Sequence, residues 1–353
     1  GIDDLEIVNV GPTEQRTRFI NSVMSNEYFD IYWDTFSPAL IKNGYVQPID
    51  VDMSVPLWSE VAASNEQFLW NGQRYYVVPG FAKQIMVYYN KSMFDEAGET
   101  YPADLFDQGE WDWDKMLEVA QNLTLDSNRD GTPEQYGLSF GEPELLLFTT
   151  GKHLIAFMPD GTARNNIGSP EVARAVAYNM KLRQSGTMSP DPFKAFGDGS
   201  VAMCVAHRGL AREWCVKMIK ADNLGVAPLP RDPDADQYYT EMEGGGFYIS
   251  KGAPNLQGAI ACCNVYAYVI RSDEYRENIY ESDIENGFWT MELQKQYEKS
   301  NNLVGVLRNW EAFNMGDYWG DLWSRPLNGE PWETIAAELS PKVDAKIKEL
   351  YES

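Results

Sequence analysis

The sequence predicts an α/β protein of two packed domains, and three observations carry that expectation. The chain has 353 residues, enough to enclose more than one hydrophobic core. Its apolar residues switch between the period of a strand and the period of a helix, starting strand, helix, strand. No apolar run approaches the ~20 residues that a membrane span needs.

Residues 5–10 read as a strand, Gly11, Pro12 and Thr13 as a turn and cap, and 14–24 as a helix on the spacing of Phe19, Ile20, Val23 and Met24. Residues 29–33 form a second strand that ends in Asp34. Strand, helix and strand in that order describe a parallel crossover, and in an open α/β sheet ligands gather beyond the carboxyl ends of the strands. Trp33 and Asp34 stand at such an end; a place for Trp33 in a domain core is the competing reading. Residues 75–78 and 85–89 are β-branched and aromatic runs separated by Pro79 and Gly80, a break that leaves backbone unpaired. Asn90 then turns the chain into a helix that stops at Gly98. Trp111, Met116, Leu117 and Val119 mark a helix opened by Asp112 or Asp114, and Ser169 with Pro170 opens another that Gly186 ends. Residues 255–270 are apolar almost all round, which predicts a buried helix, and the chain closes on a helical tail.

Between two of these elements lies the sharpest chemical motif. Asp126, Asn128, Asp130 and Glu134 occupy positions one, three, five and nine of a loop, with Gly131 at six and the Thr132 carbonyl at seven. That is the oxygen pattern of an EF-hand calcium loop, although Gly137 stands where the bidentate glutamate of position twelve belongs. A structural Ca2+ is one reading; the other is an Asx-turn hairpin in which these side chains bond nearby backbone.

Composition narrows the function. The net charge of −24, from 29 basic and 53 acidic residues, argues against nucleic acid and anionic membrane surfaces. Aromatic residues make up 13%, with 11 Trp and 20 Tyr, and flat ring faces suit the CH-lined faces of pyranoses. No phosphate loop, dinucleotide loop, G-x-S-x-G or H-E-x-x-H motif occurs, and His153 and His207 are the sole histidines, so an enzyme is not expected, nor an organic cofactor. Cys204, Cys215, Cys262 and Cys263 lack metal-site spacing and read as buried thiols, with a Cys204 to Cys215 disulfide as the alternative.

The segments GQRYYVVPG and VYYNKSMFDEAG resemble the signature of the extracellular solute-binding proteins of ABC transporters, the large family that captures sugars and oligosaccharides. DIYWD with ALIKNGYVQPID, KAFGDGSVAMCVAHRG, LGVAPLP, EGGGFYIS and PWETIAAELSPKVDAKI add to the likeness. The resemblance implies a periplasmic-binding-protein-like fold, two α/β lobes with a hinge and an interlobe ligand cleft. The N-terminal lobe is expected over 1–80 and 250–300, hinge crossings and the calcium-loop region (about 120–137) within 81–249, and the C-terminal lobe over 150–245 and 300–353. It places the LGVAPLP segment at a crossing and Glu243 with Gly245 at the second one. Members usually begin with an earlier strand and helix, expected to be missing from this record.

The implied function is capture of an extracellular carbohydrate, an oligosaccharide, by stacking and hydrogen bonding, with delivery to a membrane ABC permease on hinge closure. Trp33, Asp34, Phe81, Lys83, Glu142, Arg208, Glu243, Gly245, Trp310 and Trp319 are the ligand candidates. A solvated Lys83, a domain-internal salt bridge for Arg208 and core packing for Trp310 and Trp319 are the competing readings. An acidic sugar, a peptide or a polyamine is the alternative solute, with Lys83 and Arg208 leaning toward an anionic group. A monomer outside the cytoplasm is expected, as a cell-surface lipoprotein or a periplasmic protein.

Overall fold

Residues 6–11, 14–27, 29–80, 83–158, 160, 162–191, 194–217, 219–308 and 315–351 are described in a computed structural model. The first lobe is built from α1 (Gln15–Ser25), β1 (Ile31–Asp34), α2 (Pro38–Lys42), β2 (Val46–Gln47), α3 (Pro56–Glu66) and the hairpin β3 (Leu69–Trp70) and β4 (Gln73–Arg74). The chain then crosses to a second lobe of β5 (Ile85–Asn90), α4 (Lys91–Ala97), α5 (Pro102–Asp107), α6 (Trp113–Asn122), β6 (Tyr136–Phe140) and α7 (Glu144–Thr149). There follow β7 (Ile155–Phe157), β8 (Ala163–Asn165), α8 (Pro170–Gln184), α9 (Lys194–Gly197), β9 (Val201–His207), α10 (Arg208–Lys217), β10 (Leu224–Ala227) and β11 (Tyr239–Met242). A second crossing returns the chain to the first lobe through β12 (Gly246–Ser250) and α11 (Leu256–Arg271). It leaves again through α12 (Asp273–Glu285), α13 (Met291–Glu298), β13 (Val304–Leu307), α14 (Gly316–Ser324) and α15 (Trp332–Tyr351).

Local chemistry sets these boundaries. The Asp112 side chain caps α6 by accepting from the Lys115 amide, and Ser169 does the same for α8 from Val172 while Pro170 fills the first turn. Gly98 ends α4 at φ 70°, a left-handed position that favours glycine. The second-lobe sheet runs β10-β5-β9-β6, and β5 is buried along its whole length. Its alternate residues serve opposite cores: Ile85, Val87 and Tyr89 join the one with Trp111, Phe148 and Trp323, while Met86 and Tyr88 join the one with Phe196 and Trp289. A strand covered on both faces reads as one apolar run, which is why it stood out in the sequence.

The first-lobe sheet is ordered β1-β12-β2, with both pairings antiparallel. Asp34 lies opposite Gly246 and Trp33 opposite Phe247, so the carboxyl end of β1 meets the place where the second crossing enters. In the second lobe β5 enters at Ile85 opposite His207, the last residue of β9. Parallel pairing of β6 with β9 brings the end of β6, and Glu142 beyond it, to the same edge. Both lobes therefore present strand ends to the crossings.

Four expectations are corrected. Residues 6–10 join no strand among the described residues, and Ile7 is 81% exposed, because nothing there supplies ladder partners. Residues 75–78 contribute one isolated bridge, Val77 with Phe247, instead of a strand. The LGVAPLP strand pairs with β5 inside the second lobe, and the crossing is delayed until β11. The return to the first lobe ends at Arg271, not 300: α12 starts against α11 but carries Asp283 to Arg208 and Arg212, and Trp289, Leu293 and Tyr297 then pack in a second-lobe core.

Helix α11 forms where expected but is only half covered. Its buried residues are Ala259, Cys263 and Ala267, a stripe of small side chains four residues apart that lets the helix lie close on the first lobe. Val265 and Tyr268 are left 62% and 68% exposed. Burial raises the Cys204 thiol to about 12, so it is a buried thiol as expected; the Cys215 side chain lies outside the described set.

Candidate functional site

On the first-lobe side the edge facing the crossings is aromatic. The Trp33 indole packs edge-on against Phe247 with centroids 4.7 Å apart and leans on Tyr266 of α11 at 5.3 Å. Trp33 and Tyr266 remain 37% and 42% exposed, enough to offer ring surface to a solute. Gly245 makes this possible: a Cβ there would lie 2.6 Å from the indole, so only glycine lets the ring rest on the crossing backbone. The Tyr76 hydroxyl donates to the carbonyls of Asp34 at 2.9 Å and Gly244 at 3.2 Å, fastening the end of β1 to that crossing. Asp34 is occupied internally. Its carboxylate accepts from Arg16 Nε at 2.8 Å, the Tyr32 hydroxyl at 2.5 Å and the Thr35 amide at 2.8 Å, which fixes the strand end that carries Trp33.

The two cations expected in the cleft are also committed elsewhere. Lys83 Nζ donates to the carbonyls of Asn301 at 2.7 Å and Leu303 at 2.5 Å, and desolvation lowers its pKa. Arg208 opens α10 and donates to Asp283 at 2.9 Å, with its guanidinium over Trp289, Tyr280 and Tyr297 at 4.9, 5.1 and 5.4 Å. The internal salt bridge is thus its observed role. Trp319 is 6% exposed and packs on Trp323 in the second-lobe core. Phe81 and Trp310 lie outside the described residues.

What remains at the crossings is acidic. Arg308, just past β13, donates to Glu142 at 2.7 Å and Glu144 at 2.9 Å. Glu243 faces His207 Nε2 at 3.6 Å, and that contact holds its pKa below the ordinary value. Glu241, inward on β11, is 1% exposed, and among the described residues neither carboxylate oxygen has a hydrogen-bond partner. Burial pushes its pKa up to about 8; Arg308 works against that shift and Glu243 and Glu142 add to it. His153 is half-buried nearby with Nδ1 3.0 Å from the Leu307 carbonyl, and desolvation lowers its pKa.

Sequence reasoning missed Tyr266, Glu241 and Arg308. Tyr266 was indistinguishable from the apolar positions around it in α11, and Glu241 lies in, and Arg308 just after, strands whose pairing is not visible in a linear pattern. A recess of about 500 Å³ walled by Asn90, Ser92, Gly199, Lys220 and Asn223 lies at the far end of β5, away from both crossings.

The acidic loop joins α6 to β6 at the end of β6 opposite Glu142. Asp126 accepts from the Gly131 amide at 2.9 Å, Asn128 from Asp130 and Asp130 from Thr132 at 2.8 Å each, and Glu134 from Ser127 at 2.8 Å. Asp126 Oδ1 is buried with no hydrogen-bond partner among the described residues, a fit for an oxygen-seeking cation. Among the described residues, no three His, Cys, Asp or Glu side chains converge into a metal cage by themselves. Carbonyl and amide oxygens would have to complete any site in this loop.

Solved structures share this architecture at low identity. The chain is similar to the GacH receptor of Streptomyces glaucescens, described unliganded and with acarbose, at 20% identity over 99% of this chain and 91% of that one, TM-score 0.64. It is similar to the cyclic α-maltosyl-1,6-maltose binding protein of Arthrobacter globiformis at 15% identity over 97% and 90%, TM-score 0.69. UspC of M. tuberculosis aligns at 15% identity over 96% and 91%, TM-score 0.67. No curated protein matches. A family model described as bacterial extracellular solute-binding protein matches residues 3–280. With two α/β lobes, strand ends turned to the crossings and that match over most of its length, the chain belongs to the bacterial extracellular solute-binding proteins.

Proposed function

We propose that this protein captures an oligosaccharide between its lobes and hands it to the membrane permease of an ABC transporter. The observation that carries the reading is the exposed pair Trp33 and Tyr266 beside polar groups at the second crossing. Ring faces cover the CH face of a pyranose, while Glu243, His207 and Glu142 accept from or donate to hydroxyls at its edge. Structural neighbours that bind acarbose, cyclic maltosyl-maltose and maltotetraose support a saccharide as the solute class. Rotation of the lobes about the crossings then encloses the solute, because contacts from both lobes exist only in the closed form. Nothing in this scheme breaks a bond.

Titration calorimetry against a panel of oligosaccharides tests the reading. A saccharide bound by the wild-type protein should lose about tenfold or more in affinity with Trp33→Ala, since stacking and burial of one aromatic face are worth roughly 1–2 kcal/mol. Tyr266→Ala should lose less. Unchanged affinity in both variants, with wild-type melting temperatures, would remove the platform from the site.

We also infer a structural Ca2+ in the acidic loop, held by Asp126, Asn128, Asp130, the Thr132 carbonyl and Glu134, away from the solute. A bound ion would supply charge that a buried carboxylate oxygen otherwise lacks. Chelation should lower the melting temperature by several degrees and calcium should restore it, in line with linkage of binding to folding. A melting temperature indifferent to chelator and to millimolar calcium rejects the ion.

A further inference from the structure

In the alternative reading, Lys83 and Arg208 leaned toward an anionic group, yet both have internal partners. Arg16 is spent on Asp34, and Arg308 is shared between Glu142 and Glu144. Glu142, Glu144, Glu241 and Glu243 together face one guanidinium and the His207 imidazole. Glu243 and Glu142 keep 49% and 33% of their side chains exposed at the crossing. Glu241 is 1% exposed, both its oxygens lack a hydrogen-bond partner among the described residues, and it interacts electrostatically with Glu142, Glu243 and Arg308.

A buried carboxyl without a partner is costly unless a proton or a cation compensates it. A resident metal ion is not the natural compensator, since among the described residues no three such groups converge on one point. A neutral hydroxyl offers no charge, and an anionic group would be repelled by the excess of carboxylates. A protonated nitrogen suits the chemistry: it carries its charge on a group with several N–H donors, which the exposed carboxylates of Glu243 and Glu142 can accept, and it favours the ionised form of Glu241, which interacts electrostatically with both. The faces of Trp33 and Tyr266, at the far side of the same crossing, remain for the ring carbons.

Resting on the saccharide reading above, we infer that the solute of this cleft is a saccharide bearing a basic amine, with Glu243 and Glu142 as its direct acceptors and Glu241 as a buried carboxyl behind them that ionises when the cation binds. The inference deepens the solute class and reverses the sign of charge toward which the alternative reading leaned.

Calorimetry with matched pairs of oligosaccharides, free glucosamine oligomers against their N-acetylated forms, tests it, with maltotriose and spermidine as outer controls. The amine form should bind about tenfold to a hundredfold tighter than its acetylated twin, the range of one charge-assisted hydrogen bond. Glu243→Gln should erase most of that ratio, weakening the amine form far more than the acetylated form, and Glu241→Gln should reduce it in a protein whose carboxamide fills the same volume. Equal binding of both twins, or a ratio that survives Glu243→Gln, overturns the inference and leaves the saccharide reading intact. Spermidine bound in preference to every saccharide overturns both. Melting temperatures of the variants, read in parallel, separate lost recognition from lost fold.

Discussion

Replacing Glu241 by Gln should stabilise the protein increasingly as pH rises from about 5 to about 8, and so flatten its stability over that range. In the folded chain the carboxyl is held at about 8, above its ordinary 4.5, chiefly because β11 buries it. The fold therefore binds this proton more tightly than the unfolded chain does. Below about pH 4.5 the carboxyl is protonated in both states and costs nothing electrostatically. As pH rises through the window from 4.5 to about 8, the unfolded chain ionises freely while the folded one resists, so stability falls and then levels off. The loss is on the order of several kcal/mol at full ionisation, a large fraction of a domain's margin. Glutamine never ionises, so the difference between variant and wild type should be near zero at pH 5 and largest at pH 8.5 and above. Urea unfolding of both proteins across that range measures it. A constant difference at all pH values would mean that Glu241 finds a compensating cation in the folded chain without a solute.

The second large effect is expected from Asp283→Ala. Asp283 in α12 is 5% exposed in its side chain and answers Arg208 at 2.9 Å and Arg212 at 3.2 Å. Arg208 is itself mostly buried, enclosed by Trp289, Tyr280 and Tyr297. Removing the carboxylate leaves that guanidinium among aromatic rings with no anion, and breaking a buried pair in this way costs about 3–5 kcal/mol. The double variant Arg208→Ala with Asp283→Ala should lose much less than the sum of the two single changes, because the stranded charge leaves with its partner. Additive losses would show that the pair is not coupled.

The parts of the fold that were legible are those whose signal is local. Strand β5 announced itself because both of its faces are buried, and α6 and α8 because Asp112 and Ser169 are true caps. Trp33 and Gly245 were placed at the cleft from strand-end reasoning and the resemblance, and the structure packs one on the other. The internal partners of Lys83 and Arg208 were not legible, for one physical reason. A lysine or arginine looks the same in a sequence whether it faces a solute or satisfies carbonyls and carboxylates brought from 200 residues away, as Lys83 does with Asn301 and Leu303. Apolar composition likewise promised a buried α11, but burial depends on what lies opposite, and only its small-residue stripe has a neighbour.

The bonds of Lys83 also bear on how the lobes move. They tie the first crossing to the segment that leads into β13; β13 is paired in parallel with β11, and the Arg308 amide adds a bond to the Met242 carbonyl. The connections form one laced strap instead of separate joints. Under the lobe rotation proposed above, such a strap would act as a torsion bar, spreading a small twist along its length so that no single lacing bond has to break.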